Sequence, residues 1–213
     1  METRGLQIAD SPSRRFAHGE VVLHQGEPSA SLYLVRDGAV RLCAVLPSGR
    51  EVVVGLLGAG DLFGESALAG PEPSPVEART VGGVEVTALP VAGLHAALSR
   101  NPATAMEILR LLAARLHRTC AALEDALGRD VSTRLCRSLC ELARRHGVPH
   151  GPGVRLALPL TQEDLGRMVG ASREAVNRSL VALSRRGLVR TEQRRYVIPD
   201  LAALEGLGDD AVA

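Results

Sequence analysis

The sequence predicts an α+β protein: an antiparallel β-roll, then a long helix, then a winged helix-turn-helix. Three observations predict this order. Short apolar runs separated by glycine-containing turns fill residues 16–89, a pattern typical of a small antiparallel barrel or roll. The next long segment, 102–127, has no internal Gly or Pro and repeats its apolar residues at helical spacing. Residues 158–198 carry the capping and turn residues of two short helices and a hairpin.

Length and composition favour a two-domain protein that builds real hydrophobic cores. The chain has 213 residues, of which 46% are hydrophobic and 23% charged, and its mean hydropathy is +0.08. No apolar run approaches the roughly 18 residues of a membrane-spanning helix, and the start lacks the pattern of a signal peptide. Four cysteines do not make a disulfide scaffold. We therefore expect a cytoplasmic protein with no membrane partner.

The net charge of +1 conceals a basic segment. Residues 131–200 hold 13 arginines and six acidic residues, a net charge of +7. Acidic residues outnumber arginines on both sides of this segment, and 201–213 holds three acids and no arginine. The asymmetry predicts a polyanionic partner for residues 131–200 and an acidic tail at 201–213.

The first predicted domain, 1–101, is the β-roll. Its strands are expected at five apolar or β-branched runs, which lie at 21–23, 32–35, 40–46, 51–57 and 81–89. Turn residues such as Asp37-Gly38 and Pro47-Ser48-Gly49 separate the runs. The segment 69–75 contains three prolines and is predicted to be a loop.

The second predicted segment, 102–128, is a dimerisation helix. One stripe of residues recurs at alternating spacings of four and three, as in a coiled coil: Ala105, Leu109, Leu112, Leu116, Thr119, Leu123 and Ala126. A helix of this length is about 39 Å long, more than one small roll covers. We expect a parallel homodimer with an interface formed by Leu109, Leu112, Leu116, Thr119 and Leu123. The alternative is a helix packed on its own domain.

The third predicted domain, 129–200, contains the helix-turn-helix. A helix is expected from Val131 to Arg145, and a Gly/Pro-rich turn over 146–153. Thr161, with an acid three residues later, predicts a capping box, and Gly170 is suited to the left-handed turn between two helices. Ser172 is expected to cap the second helix, 173–185. Strands at 188–190 and 196–198 are predicted to form a basic wing around 193–195.

The second helix of this motif carries polar side chains suited to the edges of DNA bases. Arginine donates two hydrogen bonds to guanine, and glutamate accepts from cytosine. The predicted base-reading residues are Arg173, Glu174, Asn177 and Arg178, opposite the apolar Val176 and Leu180. The predicted contacts to the DNA backbone, which position without specifying sequence, are Thr161, Ser172, Arg185, Arg186, Arg194 and Arg195. The alternative is a helical hairpin with solvated charges.

The whole segment 16–198 resembles the CRP/FNR family of bacterial regulators, which includes the cyclic-AMP receptor protein. The motifs in the roll are Gly19-Glu20, Gln25-Gly26, Leu32-Tyr33, Asp37-Gly38, Gly49-Arg50-Glu51 and Gly60-Asp61-Leu62-Phe63-Gly64-Glu65. In the last third they are Leu158-Pro159-Leu160-Thr161-Gln162-Glu163-Asp164-Leu165 and Ser172-Arg173-Glu174-Ala175-Val176-Asn177-Arg178. The resemblance implies a cyclic-nucleotide-binding-like roll, promoter DNA as the target and RNA polymerase as a further partner.

The resemblance also implies a DNA sequence. In the family, an Arg-Glu pair and an Arg four residues after that Glu read a half-site like TGTGA, and the matching residues here are Arg173, Glu174 and Arg178. A twofold dimer predicts an inverted repeat with half-sites about one helical turn apart.

The effector is left open by the resemblance. Gly64 and Glu65 match the family's ribose contact, and Thr119-Cys120 matches its adenine-contacting pair. The Arg-Ser pair that holds the cyclic phosphate in the family is replaced by Ser74-Pro75, which removes the cation and a backbone donor. We therefore expect a regulator gated by its roll, but not by cyclic AMP bound in the family's usual way. The alternatives are a cyclic-AMP-dependent regulator with a degenerate phosphate site and a constitutively active one.

No metal or iron–sulfur cluster is expected. The first 42 residues contain no cysteine, whereas such clusters need several closely spaced ones. Cys136 and Cys140, at i and i+4, are interpreted as core residues, with a redox pair as the alternative. No His-x-His pair or nucleophile–base arrangement is present, so an enzyme is not predicted. A sensor module that acts only through protein contacts is the remaining rival.

Overall fold

The computed structural model describes residues 12–70, 72–193 and 195–209. The chain divides into two compact units, Met1–Cys120 and Ala121–Ala213. The boundary between the units lies inside the long helix and not at either of its ends.

The first unit is the antiparallel roll that the sequence predicts. Its strands are β1 (Ser13–Phe16), β2 (Val21–Leu23), β3 (Ser31–Val45), β4 (Glu51–Gly58), β5 (Leu62–Phe63) and β6 (Glu77–Pro90). The sheet order is β1-β6-β3-β4, with β2 on β6 and β5 on β3, and every pairing is antiparallel. The predicted turn at Asp37-Gly38 is instead a pair of register shifts inside β3, where Gly38 has a φ of 81°.

Two apolar clusters hold this unit together. The first fills the roll around Phe63 and Val40, both fully buried. The second joins the roll to helices α1 (Val91–Arg100) and α2 (Pro102–Gly128). On α2, Ile108 is buried, and Leu111 and Leu112 pack against the second cluster. The first turns of α2 are therefore held on the roll of their own chain.

The second unit is built around a basic amphipathic helix. Its elements are α3 (Val131–His146), β7 (Gly147–His150), β8 (Gly153–Leu156), α4 (Gln162–Val169), α5 (Arg173–Arg185), β9 (Arg190–Glu192), β10 (Arg195–Ile198) and α6 (Leu201–Asp209). Helix α3 buries Leu135 and Leu139 completely and packs against α4, α5 and α6. Asp130 caps α3 by accepting the Thr133 N–H at 2.8 Å, and this bond holds the pKa of the Asp130 carboxyl below its usual value. The strands form one antiparallel sheet in the order β7-β8-β10-β9.

Two segments of this unit differ from the sequence predictions. The expected turn at 146–153 forms the β7–β8 hairpin, in which Gly151 supplies a positive φ of 58°. Residues 201–209 of the expected acidic tail form α6, because Leu204 is fully buried where α6 packs on α3. None of the helices described, from α1 to α6, combines the length and hydrophobicity needed to cross a bilayer.

Candidate nucleic-acid interface

Helix α4 begins with the predicted capping box. The Thr161 hydroxyl oxygen accepts the Asp164 N–H at 3.1 Å, and the Asp164 carboxylate accepts the Thr161 N–H at 2.9 Å. Two backbone donors that the first turn leaves unpaired are thereby satisfied. The start of the helix-turn-helix is fixed by local chemistry.

Glycines set the turn between α4 and α5. Gly170 ends α4 in the left-handed conformation, with φ 64° and ψ 40°, which an L side chain rarely adopts. A Cβ on Gly166 would lie 2.8 Å from the Ala171 carbonyl oxygen, so any side chain there would push the turn away from α4. Ser172 then caps α5 by accepting the Ala175 N–H at 3.2 Å.

Helix α5 has one buried and one solvent-facing side. Val176 is fully buried, and Leu180 and Leu183 complete its core face. The four predicted base-reading residues are all exposed: Arg173, Glu174, Asn177 and Arg178. A packed helix therefore presents two guanidinium groups, a carboxylate and an amide to solvent at fixed spacings.

Electrostatics keep the carboxylate of this set ionised. The Glu174 backbone N–H, the Ser172 side chain and then the neighbouring Arg173 and Arg178 hold the pKa of Glu174 below its usual value. A negative charge is also favoured in the first turn of a helix. The Glu174 carboxylate can thus act only as a hydrogen-bond acceptor, the role that a cytosine amino group requires.

The predicted backbone-contacting residues fall into three groups. Arg185 and Arg186 are exposed at the end of α5, and Arg195 is half-buried on β10. The Thr161 and Ser172 hydroxyls are exposed but already serve as helix caps. Arg194 lies outside the described residues.

Two features of this surface were missed from the sequence. Arg190, exposed on β9, adds a cation to the wing. The Gln162 Nε2 donates to the Asn177 Oδ1 at 3.1 Å, which links the first turn of α4 to the polar face of α5. The sequence shows only that a polar residue, Gln162, begins α4. That it pairs with Asn177 can be seen only in the folded arrangement of the two helices.

Helix α2 exposes an apolar stripe whose phase differs from the predicted one. The stripe consists of exposed residues at alternating spacings of three and four: Met106, Leu109, Ala113, Leu116, Cys120, Leu123 and Leu127. Leu109, Leu116 and Leu123 belong both to the predicted stripe and to the exposed one, and their exposed fractions are 56%, 62% and 59%. Leu112 packs against the roll instead, and Thr119 donates its hydroxyl hydrogen to the Arg115 carbonyl at 3.1 Å.

The turn that matches the family's ribose contact is occupied by a side chain of α2. Gly64 has a φ of 81° before the 3₁₀ helix Glu65–Leu68. A Cβ on Gly64 would lie 2.8 Å from the Tyr33 ring, which stacks on Phe63. The Glu65 carboxylate accepts from Arg115 Nη1 at 2.8 Å, and the buried Nη2 of Arg115 has no hydrogen-bond partner. Arg115 was not predicted from the sequence, because it lies 50 residues from Glu65 and only the folded chain brings the two together.

At the position of the family's phosphate contact, Ser74 and the arginine nearest to it in sequence are both bonded within the chain. Ser74 is buried, and its hydroxyl donates to the Val76 carbonyl at 2.7 Å. The nearest arginine in sequence, Arg79, donates to the Glu77 carboxylate at 2.6 Å and to the Gly19 carbonyl at 3.0 Å. Thr119 and Cys120, the matches to the adenine-contacting pair, are both exposed.

Three of the four cysteines are buried, and Cys120 is exposed. Burial raises the pKa of the Cys136 thiol to about 11, so that this thiol stays protonated and unreactive near neutral pH. Within residues 12–70, 72–193 and 195–209, His, Cys, Asp and Glu side chains form no cluster of three or more that could hold a metal ion.

Comparison with known proteins matches both units to described families. Residues 13–101 match the family model "Cyclic nucleotide-binding domain", and residues 133–207 match "Crp-like helix-turn-helix domain". A CRP-like cAMP-activated global transcriptional regulator from Mycobacterium tuberculosis is 35% identical over 198 residues, which cover 93% of this chain and 86% of that protein. A global nitrogen regulator from Synechococcus elongatus is 29% identical, over 89% of this chain and 86% of that one.

Solved structures share the whole architecture. A CRP-family transcriptional regulator from Thermus thermophilus superposes with a TM-score of 0.77 at 29% identity, and covers 94% of this chain and 98% of its own. The c-di-GMP-responsive global regulator of Xanthomonas campestris gives a TM-score of 0.76 at 29% identity, over 90% and 95% of the two chains. Roll, long helix and capped reading helix together define a DNA-binding transcription regulator and not an enzyme. The chain belongs to the CRP/FNR family, as its motifs predict.

Proposed function

We propose that this protein binds an inverted repeat in promoter DNA as a homodimer and reads TGTGA-like half-sites with α5. The observation that carries this proposal is the division of α5 into a buried face and an exposed polar face. Arg173 and Arg178 would donate to guanine edges, and the ionised Glu174 would accept from cytosine. Arg185, Arg186 and the wing would contact phosphates and set the register on the duplex.

The exposed stripe on α2 supports the homodimer. Large apolar side chains at Leu109, Leu116 and Leu123 recur every seven residues and are more than half exposed. Burying such a side chain is worth about 1.5–3 kcal/mol, and a heptad stripe is the surface that a second parallel helix covers. The twofold axis of that dimer would place two copies of α5 on the two halves of an inverted repeat.

Gating by the roll is the remaining part of the proposal. The Glu65–Arg115 ion pair, the Ser74–Val76 hydrogen bond and the engagement of Arg79 by Glu77 favour an effector other than cyclic AMP, or none. Cyclic-AMP activation is the second candidate, since the M. tuberculosis relative is described as cAMP-activated. The X. campestris structure is described as c-di-GMP-responsive, so similar rolls serve different effectors. An activator of this kind would also contact RNA polymerase, in the cytoplasm where bacterial promoters lie.

Selection of bound sites from random duplex DNA tests the DNA-binding proposal. We expect an enriched inverted repeat, and replacing Arg178 by Ala should cost about 1–3 kcal/mol on that site with little change on scrambled DNA. Arg50→Ala, the same change at an exposed residue of the β3–β4 turn, is the matched control. An equal loss on both DNAs would exclude base reading by Arg178.

Calorimetry with cyclic AMP separates the two effector candidates. Weak or absent binding is expected, because a cyclic phosphate without a paired cation is costly to bury. Sub-micromolar binding that also tightens DNA binding would establish the second candidate.

A further inference from the structure

A side chain outside α5 is bonded to one of the base-reading residues. Gln162 is the first residue of α4 and is half-buried, whereas Asn177 is exposed on α5 between the positions of Glu174 and Arg178. The Gln162 Nε2 donates to the Asn177 Oδ1 at 3.1 Å. Both backbones are held by capped helix starts, at Thr161 and Ser172, so the two amides are brought together by the fold.

This hydrogen bond fixes which end of the Asn177 amide is available to a base. An asparagine side chain has one acceptor oxygen and one NH₂ donor group. Adenine is recognised by asparagine through both ends at once, with Oδ1 accepting from N6 and Nδ2 donating to N7. When Gln162 holds Oδ1, the Nδ2 donor is the end left for DNA. A lone donor matches guanine O6 and N7, thymine O4 or adenine N7, and it finds no acceptor on cytosine, whose major-groove edge offers only the N4 amino group.

We propose that Gln162 is a positioning residue that determines specificity: by holding the Asn177 Oδ1, it leaves Asn177 as a donor and makes it discriminate against cytosine at one position of the half-site. This inference rests on the proposed reading of DNA by α5. The competing role for Gln162 is a direct phosphate contact at the start of α4, where helix N-termini bind anions. That role would affect all sequences equally.

The test is the base preference at every half-site position, measured by competition between duplexes that differ at one base pair. In Gln162→Ala, the preference for the other bases over cytosine should fall about three- to tenfold at a single position, the loss expected from one hydrogen bond. Preferences at the other positions and affinity for scrambled DNA should not change. In an Asn177→Ala background the same substitution should have no further effect, because the two residues act as one unit.

A variant with reversed polarity sharpens the test. In Gln162→Glu the carboxylate can only accept, so it should bond to the Asn177 Nδ2 and turn Oδ1 towards the base, which shifts the preference towards adenine or cytosine. Asn101→Asp adds the same charge at an exposed residue before α2 and should leave the preference at that position as in the wild type.

The outcomes are distinguishable. Equal losses at all positions and on scrambled DNA would make Gln162 a phosphate contact and overturn the inference. So would an unchanged preference in Gln162→Ala, or an effect that persists without Asn177. A wild-type protein without any sequence preference would instead refute the proposed function itself.

Discussion

Oxidation of Cys120 tests the homodimer and the phase of its interface together. Cys120 lies on the apolar stripe of α2 between Leu116 and Leu123, and it is exposed. The other three cysteines are buried. Mild oxidation should therefore link two copies of the native chain through Cys120 without any engineered residue.

Helix geometry gives the expected distances. Parallel helices in contact have axes about 8–10 Å apart, and Cα atoms lie about 2.3 Å from the axis. Two Cys120 residues facing each other would thus have Cα atoms about 3.4–5.4 Å apart, which overlaps the range of about 4.4–6.8 Å that a disulfide needs. Thr119 is rotated by about 100° around the helix from Cys120. In the same dimer, the Thr119 Cα atoms of the two copies would therefore be about 11 Å apart.

The assay compares the native chain with two variants on non-reducing gels after equal oxidation. The native chain should give a covalent dimer that is reversed by reductant, and Cys120→Ser should give none. Thr119→Cys on the Cys120→Ser background moves the thiol by one residue and should cross-link far more slowly. Comparable rates for the two thiols would refute the stripe described here, and no cross-link at micromolar protein would refute the parallel dimer.

Four further predictions follow from individual contacts. Arg185→Ala should weaken binding to all DNA sequences and lower the slope of log K against log salt by about 2 per dimer, measured by titration at several salt concentrations. Asp130→Ala should cost about 1 kcal/mol of unfolding free energy at pH 7, as measured by urea denaturation. Because the folded-state pKa of Asp130 is lowered, the part of this difference that depends on the ionised carboxylate should begin to fall as the pH nears about 3.9, the ordinary value in the unfolded chain, and should be lost as the pH drops through the lower folded-state pKa. A double-mutant cycle of Glu65→Gln and Arg115→Met should give a coupling energy of about 1 kcal/mol by thermal unfolding, since Glu65 is partly exposed. Cys136 should resist alkylation at pH 8 in the folded protein and react in urea, as followed by mass spectrometry.

Local chemistry made the helix-turn-helix predictable. The capping box at Thr161, the left-handed Gly170 and the cap at Ser172 each depend on residues within four positions of one another. A pattern of this kind determines helix starts and ends without knowledge of the rest of the fold. The exposed polar face of α5 followed directly from its apolar periodicity.

Contacts between distant segments were not predictable in the same way. The heptad phase on α2 was one residue off at alternate positions, because Leu112 is held by the roll and only tertiary packing shows which apolar residues remain for a partner. The partner of Glu65 is 50 residues away on α2. The last segment looked like an acidic tail by composition, yet one buried leucine, Leu204, docks it as α6.

Helix α2 carries both the partner of Glu65 and the stripe proposed as the dimer interface. Arg115 and Leu116 are consecutive residues and point about 100° apart around the helix. Arg115 binds Glu65 on the roll, whereas Leu116 lies on the stripe proposed as the dimer interface. A ligand at the Glu65 turn shifts the DNA-binding equilibrium only if it binds one arrangement of the protein better than another. A group that binds the Glu65 carboxylate competes with Arg115 for it, so such a ligand would meet this condition only if the two arrangements differ in the Glu65–Arg115 ion pair.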